Sequence, residues 1–254
     1  MTSDQVVKIA LDIGEAMLKC GAETVRVEDT ITRICYTYYK GRLDVTSYLN
    51  AIFVSLDPNT MQSTELSVIT QHRRVRSVNI NLAALEELNK LSRHICTDKP
   101  DYTECRHQLN MIFTRTPSPS KLMIGNMLSA SAFCIFFGGN ILDAVLCGGI
   151  SLVLFVLEHL IARRMKIQII QTFILSFIGG LLASMLYISP ISASMDSIVI
   201  GNVMLLIPGV ALTNSLRELM VGDLISGSLK LLNSLIIAIT IATGFALSMI
   251  LLNV

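Results

Sequence analysis

The sequence has no tryptophan, and only 15% of its 254 residues are charged, against 52% that are hydrophobic. With a mean hydropathy of +0.61, this composition excludes an ordinary soluble protein. The formal net charge of +1 by itself says nothing about nucleic acid, and no nucleic-acid partner is expected. Six cysteines occur without a Cys-x-x-Cys or a paired Cys/His spacing, and His72, His94, His107 and His159 are dispersed. That pattern argues against a disulfide framework and against a zinc site, so no metal is expected. Neither a G-x-G-x-x-G turn nor a Walker-type lysine loop is present, and no cofactor is expected. The opening stretch carries Asp4, Asp12 and Glu15 where a secretory signal needs an unbroken apolar core. The N-terminal part is therefore expected to stay on the cytoplasmic side.

What charge there is lies mostly in the first half. Residues 1–120 hold 14 Lys/Arg and 14 Asp/Glu, whereas residues 121–254 hold 6 and 5. This division predicts a cytoplasmic α+β domain over 1–115, a linker over 116–120, and a transmembrane bundle over 121–254. The linker reads "TPSPS", where two prolines remove donors and disfavour helix.

In the first domain, Val6, Ile9, Ala10, Ile13 and Met17 recur at helical spacing, with Gly21 as a stop. A second helix carries Val27, Ile31 and Ile34 and ends near Gly41. Two strand-like runs, "VTSYLNAIFVSL" and "STELSVITQ", flank the turn "DPNT" and predict a hairpin. Helices near 80–96 and 101–114 complete a domain large enough for one modest core. Glu23, Glu28 and Asp29 read as helix-surface charge. Arg73, Arg74 and Arg76 read first as a solvated strand end, and second as a contact for anionic headgroups or an anionic solute.

Five apolar segments follow, at about 121–138, 141–161, 168–188, 196–213 and 229–253. From Leu231 to Val254 the last has no charge over 24 residues, enough to cross roughly 30 Å of hydrocarbon. The expectation is an α-helical integral membrane protein with about five transmembrane helices. Arg163, Arg164 and Lys166 crowd one loop, while the loops "GGN" and "SPISASMD" have no Lys or Arg. The positive-inside rule then places residues 1–120 and the loop at 214–229 in the cytoplasm and the C-terminus outside. Ser176, Gly180 and Ser184 share a face beside Gly179 and Ala183, and Gly125 and Ser129 repeat the pattern, so these helices should pack closely on partners.

The stretch "LLIPGVALTNSLRELMVGDLISG" interrupts this apolar half. Pro208 removes a donor and Gly209 permits a bend, so segment four should break there. Asn214, Arg217 and Glu218 share a face if the helix resumes, and Asp223 follows Gly222. An ionisable group at membrane depth costs roughly 2.5–3.5 kcal/mol and marks solute or proton paths. Pro208, Gly209, Asn214, Arg217, Glu218 and Asp223 are therefore the candidate residues of a substrate path, with Asp223 a proton carrier if burial raises its pKa. The plainer reading has Arg217 and Glu218 at an interface and Asp223 capping the next helix. Asp143, three after Asn140, suits a helix N-terminus. Glu158 and His159 read as a proton relay or, more simply, as snorkelling interfacial groups.

Three stretches carry a family resemblance. "IGEAMLKCGAETVRVEDTITRI" (13–34), "RSVNINLAALEELNKLSR" (76–93) and "IPGVALTNSLRELMVGDLISG" resemble successive motifs of the threonine/serine exporter (ThrE) family. In the last, Pro208, Gly209, Asn214, Gly222, Asp223 and Gly227 match the family's Pro-Gly…Asn…Gly-Asp…Gly pattern. The resemblance implies a secondary transporter driven by the proton gradient, in the plasma membrane, exporting threonine- or serine-type amino acids or succinate-type dicarboxylates. Fused members carry a second set of membrane segments, so the chain resembles the larger, YjjP-type subunit of the split form. Its implied partners are a small polar solute, the lipid bilayer and a second short multi-pass subunit of the YjjB type, with self-association left open. On the residues alone two alternatives stand: a membrane-anchored enzyme with a catalytic N-terminal domain, and a membrane scaffold or sensor. Residues 1–120 offer no nucleophile–base pattern, so enzymatic activity is not expected.

Overall fold

Residues 1–57, 68–76, 78–114, 118–162, 164–165, 167–189 and 194–253 are described by the structure, a computed structural model. Residues 58–60 of the expected turn, 63–67 of the second strand-like run, 116–117 of the linker, Arg163, Lys166 and residues 190–193 lie outside the described residues. The chain forms two compact units. One comprises Met1–Thr116 together with Ala211–Leu231; the other comprises Pro117–Val210 together with Leu232–Val254.

The first unit begins with helix α1 (Ser3–Lys19). Thr2 and Gln5 form a reciprocal capping box at its start. Val6, Ile9, Ala10, Ile13 and Met17 are fully or nearly fully buried, the stripe expected from their spacing. Gly14 lets α2 (Thr24–Tyr38) approach closely, since a Cβ there would lie 2.6 Å from Ile31 Cδ1. The end of α1 is a Schellman motif: Gly21 N donates to Leu18 O (3.0 Å) and Ala22 N to Met17 O (3.0 Å). It requires φ +87° at Gly21, a left-handed conformation costly for any residue with a Cβ. The motif stops α1 and turns the chain so that α2 starts at Thr24. Glu23, the residue before α2, makes no side-chain cap.

The strand-like run at 45–56 folds differently from expectation. It is itself a hairpin, β1 (Arg42–Tyr48) and β2 (Ala51–Asp57), closed by the two residues Leu49 and Asn50. Apolar residues flank that turn on both sides and it holds neither Gly nor Pro, so the pattern alone does not show the break; Asn is the turn residue. A third strand, β3 (Ile69–Arg74), pairs with β2, giving an antiparallel sheet of order β1-β2-β3 in which Phe53 opposes both Thr46 and His72. Ile52, Val54 and Leu56 are fully buried on one face. On β3, Arg73 folds onto α1 and binds Asp12 at 3.0 Å, while Arg74 and Arg76 remain exposed. Helices α3 (Leu82–Asp98) and α4 (Tyr102–Thr114) close the core through Leu88, Leu91, Ile95, Cys105 and Leu109.

The second unit contains α5 (Pro119–Phe136), α6 (Ile141–Ala162), α7 (Gln168–Ile188), α8 (Met195–Leu206), the first residues of α9 (Gly209–Val221) and most of α10 (Leu224–Leu252). By length and composition, α6, α7 and α10 can cross a membrane, and the bent pair α8 and α9 makes a fourth candidate span. At about 1.5 Å per residue, their 22, 21 and 29 residues reach beyond the ~30 Å hydrocarbon layer. The segment expected at 121–138 is helix α5, which opens on Pro-Ser-Lys, carries Asn126, and stands outside that set. Val145, Val153 and Val156 on α6 and Ile239, Ile250 and Leu251 on α10 point outward, a surface suited to lipid.

Close approach holds this unit together. Ser176, Gly179, Gly180, Ala183 and Ser184 of α7 are buried. A Cβ on Gly180 would overlap Ser248 Oγ, and one on Gly244 would overlap Ser176 Oγ, so α7 and α10 touch through small residues. Gly125, by contrast, faces open space. Ile237, Ile241 and Phe245 of α10 pack on Val199, Val203, Leu206 and Ile207. At the start of α6, Asn140 and Asp143 cap each other (3.0 and 2.8 Å), and Asp143 Oδ1 also accepts from Ser194 N at 3.0 Å.

Candidate functional site

Pro208 stands between α8 and α9. Ile207 is the last residue tied to α8, with its N–H donating to Val203 O (3.1 Å), and α9 starts at Gly209. The helix breaks where a proline removes the donor. It then continues through Val221, so residues 214–221, expected in a loop, are helical. Gly222, at φ +98°, ends α9. Asp223 then caps α10 by accepting from Ser226 N (3.1 Å), which starts the last helix at 224 rather than near 229.

Asn214, Arg217 and Glu218 do share one face of α9, and the face has a partner within the first unit: the turn from α1 into α2. Asn214 Nδ2 donates to Gly21 O (3.2 Å). Arg217 Nη1 binds Glu23 Oε1 at 2.8 Å on an exposed rim. Glu218 goes deepest, at 1% exposure. Its Oε1 accepts from the Thr24 backbone N (2.9 Å), from the Thr24 hydroxyl (3.1 Å) and from Lys230 Nζ. Its Oε2 has no hydrogen-bond partner among the described residues. Lys230 also reaches Ala22 O at 3.5 Å.

A carboxylate at that position is favoured by α2 itself. The first N–H groups of a helix lack intrahelical acceptors, and the helix dipole favours negative charge there. Glu23 does not cap α2 with its side chain; Glu218, from 194 residues along the chain, takes up the Thr24 N–H. The Schellman turn at Gly21 provides the other half of the surface by aiming the Gly21 and Ala22 carbonyls at Asn214 and Lys230.

Asp223 faces the same threonine, with Oδ2 2.6 Å from Thr24 Oγ1. Burial pushes its carboxyl up, but the hydrogen bonds from Thr24 and Ser226 and the Lys230 charge outweigh it, and the net direction is down. That is opposite to the rise expected of a lone buried acid, because the sequence does not show these donors. Glu28, on α2, moves the other way. Burial raises it, the Ser47 N–H (2.6 Å) lowers it, and the Asp223 charge raises it again, for a net rise. Glu28 is thus half-buried within this group, whereas Asp29 is exposed and pairs with Arg33.

Six residues were singled out on sequence. The structure gathers Asn214, Arg217, Glu218 and Asp223 at the α1–α2 turn and leaves Pro208 and Gly209 at the helix break. It adds Thr24 and Lys230, which sequence reasoning did not select. Thr24 lies within the "GAET" motif, and Lys230 is the lone charge in the apolar run of α10; those were the available signals. No group of three or more His, Cys, Asp or Glu among the described residues could hold a metal ion.

Several apolar helices of spanning length point to a membrane protein, and the family model that matches the chain supplies the transporter class. The chain belongs to the ThrE family, "Putative threonine/serine exporter", whose model matches residues 8–252. Comparison with curated proteins and comparison with solved structures each found no match.

Proposed function

We propose that this chain is the larger subunit of a two-component secondary transporter. It exports a small polar metabolite, a threonine/serine-type amino acid or a succinate-type dicarboxylate, and is driven by the proton gradient. The observation that carries this reading is the family match across residues 8–252, on a chain with three to four candidate membrane spans. In this reading residues 1–115 are cytoplasmic, the bundle over 121–254 crosses the plasma membrane about five times with α5 included, and the C-terminus is external. Pro208 and Gly209 shape the break, and Asn214, Arg217, Glu218 and Asp223 border the inner end of the polar path. The buried Glu218–Lys230 pair supports this, because ionisable groups carried on candidate membrane-spanning helices are costly and mark ion or solute routes.

The test is counterflow of labelled threonine, serine and succinate in vesicles. Vesicles contain the purified chain alone or with a second short multi-pass subunit of the YjjB type. Counterflow of one of these solutes with both proteins present is the expected outcome. Absence of flux for all three under both arrangements would overturn the reading. The orientation is checked by labelling single cysteines from outside: one at Ser192 is modified and one at Lys166 is not.

A further inference from the structure

The sheet of the first unit has one face in the core and one face outside it. Ile52, Val54 and Leu56 are buried on the inner face, and the same alternation turns Phe53 outward. The register sets the outer face in rows. Thr46, Phe53 and His72 form one row, and Tyr48, Ala51 and Arg74 form the next. The alternation runs on past the end of β3. Val75 is buried, its N–H donating to Asn50 O (2.8 Å), and Arg76 is exposed.

Three rings meet on this face. Phe53 stacks on His72, with centroids 6.0 Å and planes 21° apart, and meets Tyr48 edge-on at 6.5 Å. They lie at the surface, with Phe53 46% and Tyr48 38% exposed. Charge is divided along the face. At the far end Arg42 pairs with Asp44 (3.3 Å) and stands opposite Asp57. At the ring end stand Arg74 and Arg76, exposed and without an ion pair among the described residues, whereas Arg73 turns inward to Asp12.

Apolar rings beside unpaired guanidinium groups call for an occupant that is both anionic and apolar. A bilayer with anionic headgroups is both. Tyr and Phe rings enter the headgroup region, arginine stems lie along them, and guanidinium groups bind lipid phosphates. A bilayer is also at hand, because the chain passes between this unit and the unit of membrane-length helices at 116–117, 210–211 and 231–232. We propose that the outer face of the sheet, through Tyr48, Phe53, Arg74 and Arg76, docks on the anionic headgroup surface of the surrounding bilayer. The contact holds the N-terminal unit to the membrane and weakens as salt screens the arginines. It rests on the membrane setting of the function proposed above and is independent of the solute carried.

The experiment exploits the lack of tryptophan: Phe53→Trp places a single indole in the patch of the full chain. The protein is reconstituted in nanodiscs of phosphatidylcholine, alone or mixed with phosphatidylserine, with and without lipids brominated near the headgroup end of their acyl chains. In anionic discs the emission should shift to the blue and be quenched by the brominated lipid. In neutral discs it should stay water-like. Arg74→Gln with Arg76→Gln should weaken docking by roughly fivefold for each arginine, about 25-fold for the pair, and added salt should do the same to the unsubstituted patch. Water-like, unquenched emission in both kinds of disc would overturn the proposal, and so would quenching that survives the double substitution. A blue shift without lipid quenching also overturns it: one that follows addition of a soluble nucleotide assigns the face to a small anion, and one that grows with the number of chains per disc assigns it to a second copy. Should Phe53→Trp fail to fold, Tyr48→Trp reads the same patch. Absence of all solute flux would remove the transporter reading and leave the fluorescence result standing.

Discussion

Thr24 meets Glu218 twice, its backbone amide donating at 2.9 Å and its hydroxyl lying 3.1 Å away, across 194 positions of sequence. The pair gives the N-terminus of α2 an acceptor from α9, a distant helix. It also holds the segment Ala211–Leu231 within the N-terminal unit. A stretch that reads as the interruption of a membrane run is, in its second half, part of the first compact unit.

Removing that acceptor should be costly. In Glu218→Ala the Thr24 amide and Lys230 lose a buried charged partner, and breaking such a pair costs on the order of 3 kcal/mol. Thermal unfolding of the detergent-solubilised protein, followed by a thiol-reactive dye, reads this directly, because Cys20, Cys35, Cys105, Cys134 and Cys147 are free and buried. The midpoint should fall clearly, whereas Glu218→Gln should fall less because it keeps an acceptor oxygen.

Arg217 should behave differently from Glu218. Its ion pair with Glu23 sits on a rim where the arginine side chain is 70% exposed, and such pairs contribute about 0–1 kcal/mol. Arg217→Gln should therefore leave the unfolding midpoint nearly unchanged. In flux assays it should reduce succinate transport more than threonine transport, since the guanidinium attracts an anionic solute. Equal loss for both solutes would deny it that role.

Two acids should give opposite pH dependences. Asp223 is held below its ordinary value of 3.8, so its contribution is present above that pH and is lost as pH falls through the lower folded value. The stability gap between wild type and Asp223→Asn should be constant at neutral pH and shrink in strong acid. Glu28 is held above its ordinary value of 4.5, so the cost of ionising it in the fold builds as pH rises from 4.5 and is complete above the higher folded value. Glu28→Gln, which keeps the acceptor for Ser47, should be more stable than wild type at neutral pH. That advantage should vanish as pH falls toward 4.5.

The small-residue contact between α7 and α10 makes a steric prediction. Gly180→Ala places a methyl against Ser248 Oγ, and overpacking of this kind costs about 1–3 kcal/mol. Adding Ser248→Ala removes the offending oxygen and should recover part of the lost midpoint. Gly125→Ala, which meets open space, should cost little.

Much of this protein was legible before any tertiary structure. The division into a charged first half and an apolar second half follows from composition. The helices carrying Val6–Met17 and Val27–Ile34 follow from apolar spacing, because one face of a helix must meet a core. The stops at Gly21 and Pro208 follow from backbone chemistry, a left-handed φ and a missing donor, that does not depend on distant residues. The hairpin inside residues 45–56 was not legible, since apolar residues lie on both sides of Leu49 and Asn50 with no Gly or Pro between them, and only strand pairing shows where the chain reverses. The α1–α2 turn as the counterpart of Asn214, Arg217 and Glu218 belongs to the tertiary structure alone. Hydrogen bonds between residues almost 200 positions apart leave no periodicity in a single sequence. So does the direction in which Asp223 titrates: burial by itself would raise its pKa, and only the folded arrangement of Thr24, Ser226 and Lys230 around it reverses the sign.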